Sequence, residues 1–155
     1  MGRQEITVTP GARQEGPLWV IVGPTAAGKS HLAVRLAIEL DGEVVSADSM
    51  QVYRHFDIGT GKLPFAERQV PHHLIDIVIP GRRFSAAQFV RRADQKIAQI
   101  WRRERVPIVV GGTGLYVRAL LHGLVDAPGV DEDVRAEHES ICESEGLAEL
   151  YRRLR

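Results

Sequence analysis

The chain predicts an α/β domain built on a parallel sheet, and three features predict it. Runs of strand length, rich in Val and Ile, recur at 18–22, 43–47 and 107–110. Runs without polar alternation suit strands covered on both faces. The first and last each lead through a glycine-rich turn into a stretch of helical spacing, the pattern of β–α–β units. The 155 residues are 44% hydrophobic and 26% charged, which suits one soluble globular domain.

Residues 1–16 are polar and glycine-containing and read as a loose tail. Leu18 to Val22 form the first strand, expected to be buried on both faces, and Gly23 to Gly28 a loop. Ser30 to Leu40 place apolar side chains at 32, 33, 36, 37 and 40, one face of a helix. Asp41-Gly42 breaks that helix, and Glu43 to Ala47 form the second strand, ending at Asp48. Residues 49–71 are irregular. His73 to Val78 read as a short strand stopped by Pro80-Gly81. Ser85 with Gln88 makes a capping-box pair, opening a helix to about Arg105 with Phe89, Ile97, Ile100 and Trp101 inward. Pro107 to Val110 form another buried strand, and Leu115 to about His122 a helix. Pro128-Gly129 marks a hinge, Asp131 caps a charged helix, and Gly146 separates a last short one. The expected division is a tail at 1–16, an α/β core at 17–123 and a helical segment at 124–155, which has little apolar surface to bury.

Composition also excludes some functions. Twenty basic and twenty acidic side chains cancel, with a pI of about 7.0, so bulk charge does not drive binding to nucleic acid or membrane. A local basic patch remains compatible with that balance. The single cysteine, Cys142, allows no internal disulfide, fits a reducing compartment and is read as inert. No window approaches the roughly 18 apolar residues of a membrane span. The first residues carry no apolar leader, so the cytoplasm is the expected compartment.

Gly23-Pro24-Thr25-Ala26-Ala27-Gly28-Lys29-Ser30 matches the phosphate-loop pattern G-x-x-x-x-G-K-[ST], with a strand before it and a helix after it. That spacing converges loop N–H groups on phosphate oxygens. Lys29 adds a point charge, and Ser30 places a hydroxyl for Mg²⁺. NTPases of this loop class usually add an Asp at the end of a second apolar strand. Here that strand ends in Gly111-Gly112-Thr113, and the strand-end carboxylate is Asp48 instead. In a parallel sheet the strand C-termini share one crevice, so Asp48 is placed near the bound phosphates to hold metal-bound water or take a proton. An Asp that merely orders its loop is the alternative. Thr113 is the one side chain of the Gly111–Gly114 turn able to hydrogen-bond a substrate. Gly59-Thr60-Gly61-Lys62 reads as a flexible active-site loop with Lys62 a possible anion contact. His72-His73 reads as structural, since adjacent strand residues point to opposite sides. The basic pairs at 82–83, 91–92 and 102–103, with Arg105, read mainly as solvated helix surface and secondarily as phosphate-backbone contacts.

Five blocks in order resemble the bacterial tRNA dimethylallyltransferase family: GPTAAGKS (23–30), DSMQVYRHFDIGTGK (48–62), VPHHLID (70–76), FSAAQF (84–89) and GGTGLYVRALL (111–121). The resemblance covers about residues 17–135. It implies a P-loop NTPase-like core with the beginning of a helical insertion, and prenylation of the adenosine beside the tRNA anticodon. By resemblance, dimethylallyl diphosphate is the donor, held by the 23–30 loop with Mg²⁺ on Ser30. Asp48 and Thr113 are the implied catalytic residues, Asp48 as general base for the adenine N6 amine. Asp48, Ser49, Met50, Gln51, Thr113 and Arg135 are the implied tRNA contacts. A monomer is expected. Family members continue past the position matching Arg155, so diphosphate binding is expected to persist in this chain and turnover on tRNA to be weak. A small-molecule P-loop kinase, a transferase using free AMP, and a non-catalytic nucleotide-binding remnant stay open.

Overall fold

A computed structural model describes residues 16–124 and 131–153. The 128–129 hinge and nearly all of the expected tail lie outside them. The described residues divide into two compact units after Leu124.

The first unit is a four-stranded parallel sheet of β1 (Trp19–Val22), β2 (Gly42–Ser46), β3 (His72–His73) and β4 (Val106–Gly111), in the order β1-β4-β2-β3. Helix α1 (Lys29–Glu39) covers one face; α2 (Ala86–Trp101) and α3 (Gly114–His122) cover the other. The pleat sorts the apolar strand residues between them. Val44, Ile108 and Val110 pack on Ala33 and Ala37 of α1, while Val45, Ala47 and Val109 pack on Phe89, Ala93, Ile97 and Leu120. This two-residue alternation is why continuous apolar strands are needed. Phe89 is fully buried and stacks on Tyr116 at 4.5 Å between ring centroids. The capping box at Ser85 forms as expected, with Ser85 Oγ accepting from Gln88 N and Gln88 Oε1 accepting from Ser85 N.

Three expectations need correction. β1 is covered on both faces only at its centre, where Val20 packs against one core cluster and Ile21 against the other; it lies at the sheet edge, and Trp19 and Val22 at its ends are 48% and 60% exposed. An edge strand has a neighbour on one side only. The strand expected at 73–78 is only His72–His73, because Leu74 (φ 62°) and Asp76 (φ 57°) leave the extended region. Val78 rejoins the sheet direction through a single parallel bridge to Tyr53. Helix α2 stops at Trp101 instead of Arg105, since the chain turns through Glu104 (φ 59°) to enter β4.

The second unit holds α4 (Glu132–Glu145) and α5 (Leu147–Arg153). Asp131 caps α4 by accepting from the N–H groups of Asp133 and Val134, and Gly146 (φ 85°) makes the turn between the helices. No residue of either helix is buried. Ion pairs run along their surfaces, among them Arg153 with Glu145 and Glu149. Among the described residues, no helix is long and apolar enough to cross a membrane.

Candidate functional site

The C-terminal ends of the strands open into one cleft of about 240 Å³. Its phosphate-loop wall is Thr25 to Ser30 with His31. Asp48 and Gln51 form a second wall, Thr60, Gly61 and Leu63 a third, and Val110 to Gly112 the floor. Lys29, Ser30 and Asp48, separated in sequence, therefore share one cavity. Gly23 and Pro24 of the motif do not line it. Pro24 instead closes the loop, its carbonyl accepting from Lys29 Nζ and from Ala27 N.

Local chemistry explains the loop's shape. Ala26 (φ 64°) and Gly28 (φ 77°) are both left-handed, which turns successive N–H groups inward as an anion nest ahead of α1. The first N–H groups of α1 lack carbonyl partners of their own and add to that field. The floor depends on Gly111. A Cβ there would collide with the Ala47 backbone carbonyl, so only glycine lets β4 run this close to the end of β2. Ala47 N donates to Val110 O, and Thr113 N to Ala47 O, fastening the two strand ends together.

Asp48 begins a tight turn. Its Oδ1 accepts from Met50 N at 2.8 Å and Gln51 N at 3.3 Å, so it orders its loop and faces the cleft at once. Thr113 does not line the cleft. Its Oγ1 accepts from Ser49 N at 2.9 Å and donates to Ser49 Oγ at 3.3 Å, strapping the 48–51 turn to the start of α3. Met50 is exposed beside that turn. Gln51 is held at both ends of its amide: Ser46 Oγ donates to Oε1, and Nε2 donates to Thr60 O. Arg135 belongs to the second unit, where it pairs with Glu139 at 2.9 Å and is thereby held further above its usual pKa.

The metal-binding fit is partial by design. Among the described residues no cluster of three or more His, Cys, Asp or Glu could cage an ion. Ser30 lines the cleft, and its hydroxyl makes no hydrogen bond among the described residues. Mg²⁺ is typically held by one or two protein oxygens, with phosphate oxygens and water completing its octahedron. The donor set here suits that mode and no all-protein cage.

One reading of the surroundings changes. Lys62 is not an anion contact: its side chain is 3% exposed, and its Nζ donates to Tyr53 O, Asp57 Oδ1 and Asp76 Oδ1. The histidines are structural as expected. His73 Nε2 lies 2.6 Å from Glu43 Oε2, and His72 Nδ1 lies 2.8 Å from Val70 O. Burial, foremost, lowers the His72 pKa. Sequence reasoning missed Ser46, whose signal was a polar residue inside a buried strand. It also missed that Leu63 lines the cleft, whereas the Gly111–Gly114 turn is expected at the crevice edge from its strand-end position and its Gly111 and Gly112 lie there.

Comparison with known proteins fits this geometry. The IPP transferase family model matches residues 51–155. This chain belongs to the IPP transferase family. It is 57% identical over 138 residues to tRNA dimethylallyltransferase 2 of Geotalea uraniireducens, covering 88% of this chain and 44% of that protein. It is 54% identical over 146 residues to the tRNA dimethylallyltransferase of Myxococcus xanthus, covering 93% and 47%. Among solved structures, the tRNA isopentenylpyrophosphate transferase of Bacillus halodurans superposes with a TM-score of 0.69 at 50% identity, covering 88% of this chain and 46% of that one. A eukaryotic dimethylallyltransferase acting on tRNA also superposes at 0.69, with 36% identity, 83% of this chain and 33% of that one. The chain spans about half the length of the curated relatives it matches. The parallel sheet with flanking helices is the P-loop NTPase-like core of those structures.

Proposed function

We propose that this chain carries the donor site and catalytic carboxylate of a tRNA dimethylallyltransferase, acting on N6 of the adenosine beside the anticodon in cytoplasmic tRNA. The observation that carries this reading is the shared cleft, in which a phosphate loop faces Asp48 while β4 ends in Gly111-Gly112-Thr113 without a carboxylate. A diphosphate that leaves needs charge stabilisation but no γ-phosphoryl machinery.

In the proposed reaction the allylic C–O bond of dimethylallyl diphosphate breaks and a bond from N6 to that carbon forms. The loop amides and Lys29 stabilise the charge growing on the departing diphosphate. Mg²⁺, when bound at Ser30, adds to that neutralisation. An exocyclic aromatic amine is a weak nucleophile whose N–H acidifies as it attacks, so Asp48 takes that proton. Asp48 Oδ1 is tied to its own turn, which aims the carboxylate and holds it still. Ser49, Met50 and Gln51 follow it in the same turn, and in this reading they contact a base swung out of the anticodon-loop stack. Thr113 acts by fixing that turn through Ser49, and Arg135 supplies a charge for the tRNA backbone.

The test is transfer of label from radiolabelled dimethylallyl diphosphate to unmodified tRNA by the parent, Lys29→Ala and Asp48→Ala. The expected result is labelling by the parent that both substitutions remove. Equal labelling by all three would overturn the assigned roles.

A further inference from the structure

We infer that Lys62 is a positioning residue for the acceptor side of the cleft, an assignment that rests on the prenyl-transfer reading. Residues 57–63 form no regular helix or strand, and Gly59 (φ 77°) and Gly61 (φ 65°) make their turns. The loop has little apolar anchorage: Ile58 is 97% exposed, and only Leu63 is buried. Thr60 Oγ1 donates to Phe56 O and Arg68 Nε to Leu63 O, and the buried Lys62 ammonium ties the loop to its neighbours with all three N–H donors engaged, at 2.7 Å to Tyr53 O, 2.7 Å to Asp76 Oδ1 and 3.1 Å to Asp57 Oδ1. A lysine taken out of water must be paired and hydrogen-bonded to stay charged, and this one is.

The bonds continue from Lys62 to the reacting wall. Asp76, fastened by Lys62, donates its N–H to Gln51 O at 3.0 Å, while its own carbonyl accepts from Arg54 Nε. Gln51 then donates through Nε2 to Thr60 O, and through its backbone N–H to Asp48 Oδ1. Lys62 thus grips both segments that Gln51 bridges, the 57–63 loop and the turn at Asp76. The phosphate loop shares none of these bonds and is shaped by its own contacts to Pro24. The Lys62 network therefore sets the amide-lined wall that meets a base, and leaves the diphosphate cradle to itself.

Two measurements on Lys62→Met test this, with Asp76→Asn as a second variant that keeps the side-chain shape. The first is native-state hydrogen exchange. The hydrogen-bonded amides of Gln51 and Asp76, which donate to Asp48 Oδ1 and to Gln51 O, should exchange about tenfold faster or more in both variants, while residues 25–34 keep the parent rate. The second is a pair of dissociation constants, for dimethylallyl diphosphate with Mg²⁺ and for an unmodified anticodon-arm RNA. The donor constant should stay within about twofold, and the RNA constant should rise about tenfold or more. A general loss of folding would move both constants and both exchange regions together, and that result overturns the proposal. So does parent-like exchange at Gln51 and Asp76. An anticodon arm that the parent itself fails to bind counts against the transfer reading, and the exchange measurement alone then decides the role of Lys62.

Discussion

Two carboxylates bracket β2, and they live in opposite conditions. Glu43 at the strand's start is 2% exposed and surrounded by basic side chains. His73 Nε2 lies 2.6 Å away, Arg103 donates at 3.1 and 2.8 Å, and Arg105 lies within 3.6 Å. Asp48, just past the strand's end, has only the N–H groups of its own turn as hydrogen-bond partners among the described residues, through one oxygen. Burial alone would raise the Glu43 pKa, but the hydrogen bonds and charges of Arg103 and His73 outweigh it and hold the carboxyl below its usual value. The same chemical group is saturated at one end of the strand and left open to the cleft at the other. A saturated carboxylate stabilises a fold, and an open one can accept a proton.

Exchanging each for its amide should separate these roles. Asp48→Asn keeps an oxygen for the turn and removes the proposed base, so transfer should fall by about 10²–10⁴-fold with the thermal midpoint nearly unchanged. A destabilised Asp48→Asn with full activity would invert the comparison. Glu43→Ala should cost stability near the low end of about 3–5 kcal/mol, since it strands partly buried cations of which Arg103 is half exposed. Urea unfolding checks it, and diphosphate binding at low denaturant should persist.

Acid sharpens the same contrast. With its folded pKa below the ordinary value of 4.5, Glu43 contributes stability that is present above that pH and lost as pH falls through the folded pKa. Glu43→Gln should therefore be less stable than the parent near neutrality and show a shallower acid limb, read from unfolding midpoints against pH. Gly111→Ala forces a methyl against the Ala47 carbonyl and should cost about 1–3 kcal/mol while also distorting the cleft floor. The smallest effect belongs far from both carboxylates. Ser85→Ala removes half of the α2 capping box for about 1 kcal/mol, with no change in ligand binding.

Much of this architecture was legible in the sequence because its signals are local. The 23–30 spacing, the helical period of 30–40 and the Ser85–Gln88 pair each state their conformation within a few residues, and each forms as read. What escaped was set by distant partners. Nothing near His73 announces that Leu74 and Asp76 turn left-handed to meet Gln51 and Lys62. The exposure of β1 follows from its edge position in the sheet, which its own apolar run does not encode. Lys62, beside glycines, looked like an anion contact because its true partners lie five and fourteen residues away. In the candidate site, Lys29, Ser30 and Asp48 were readable from motif and topology. Thr113 was placed at the right turn, but its hydroxyl is engaged by Ser49.

The most direct measurement is a calorimetric titration of dimethylallyl diphosphate, with Mg²⁺, into the parent and Lys29→Ala. Loss of one charge-assisted bond to the diphosphate is worth about 1.5–3 kcal/mol, so the variant should bind roughly tenfold or more weakly. Equal affinity of parent and variant would contradict a cleft in which the phosphate loop holds the donor opposite Asp48.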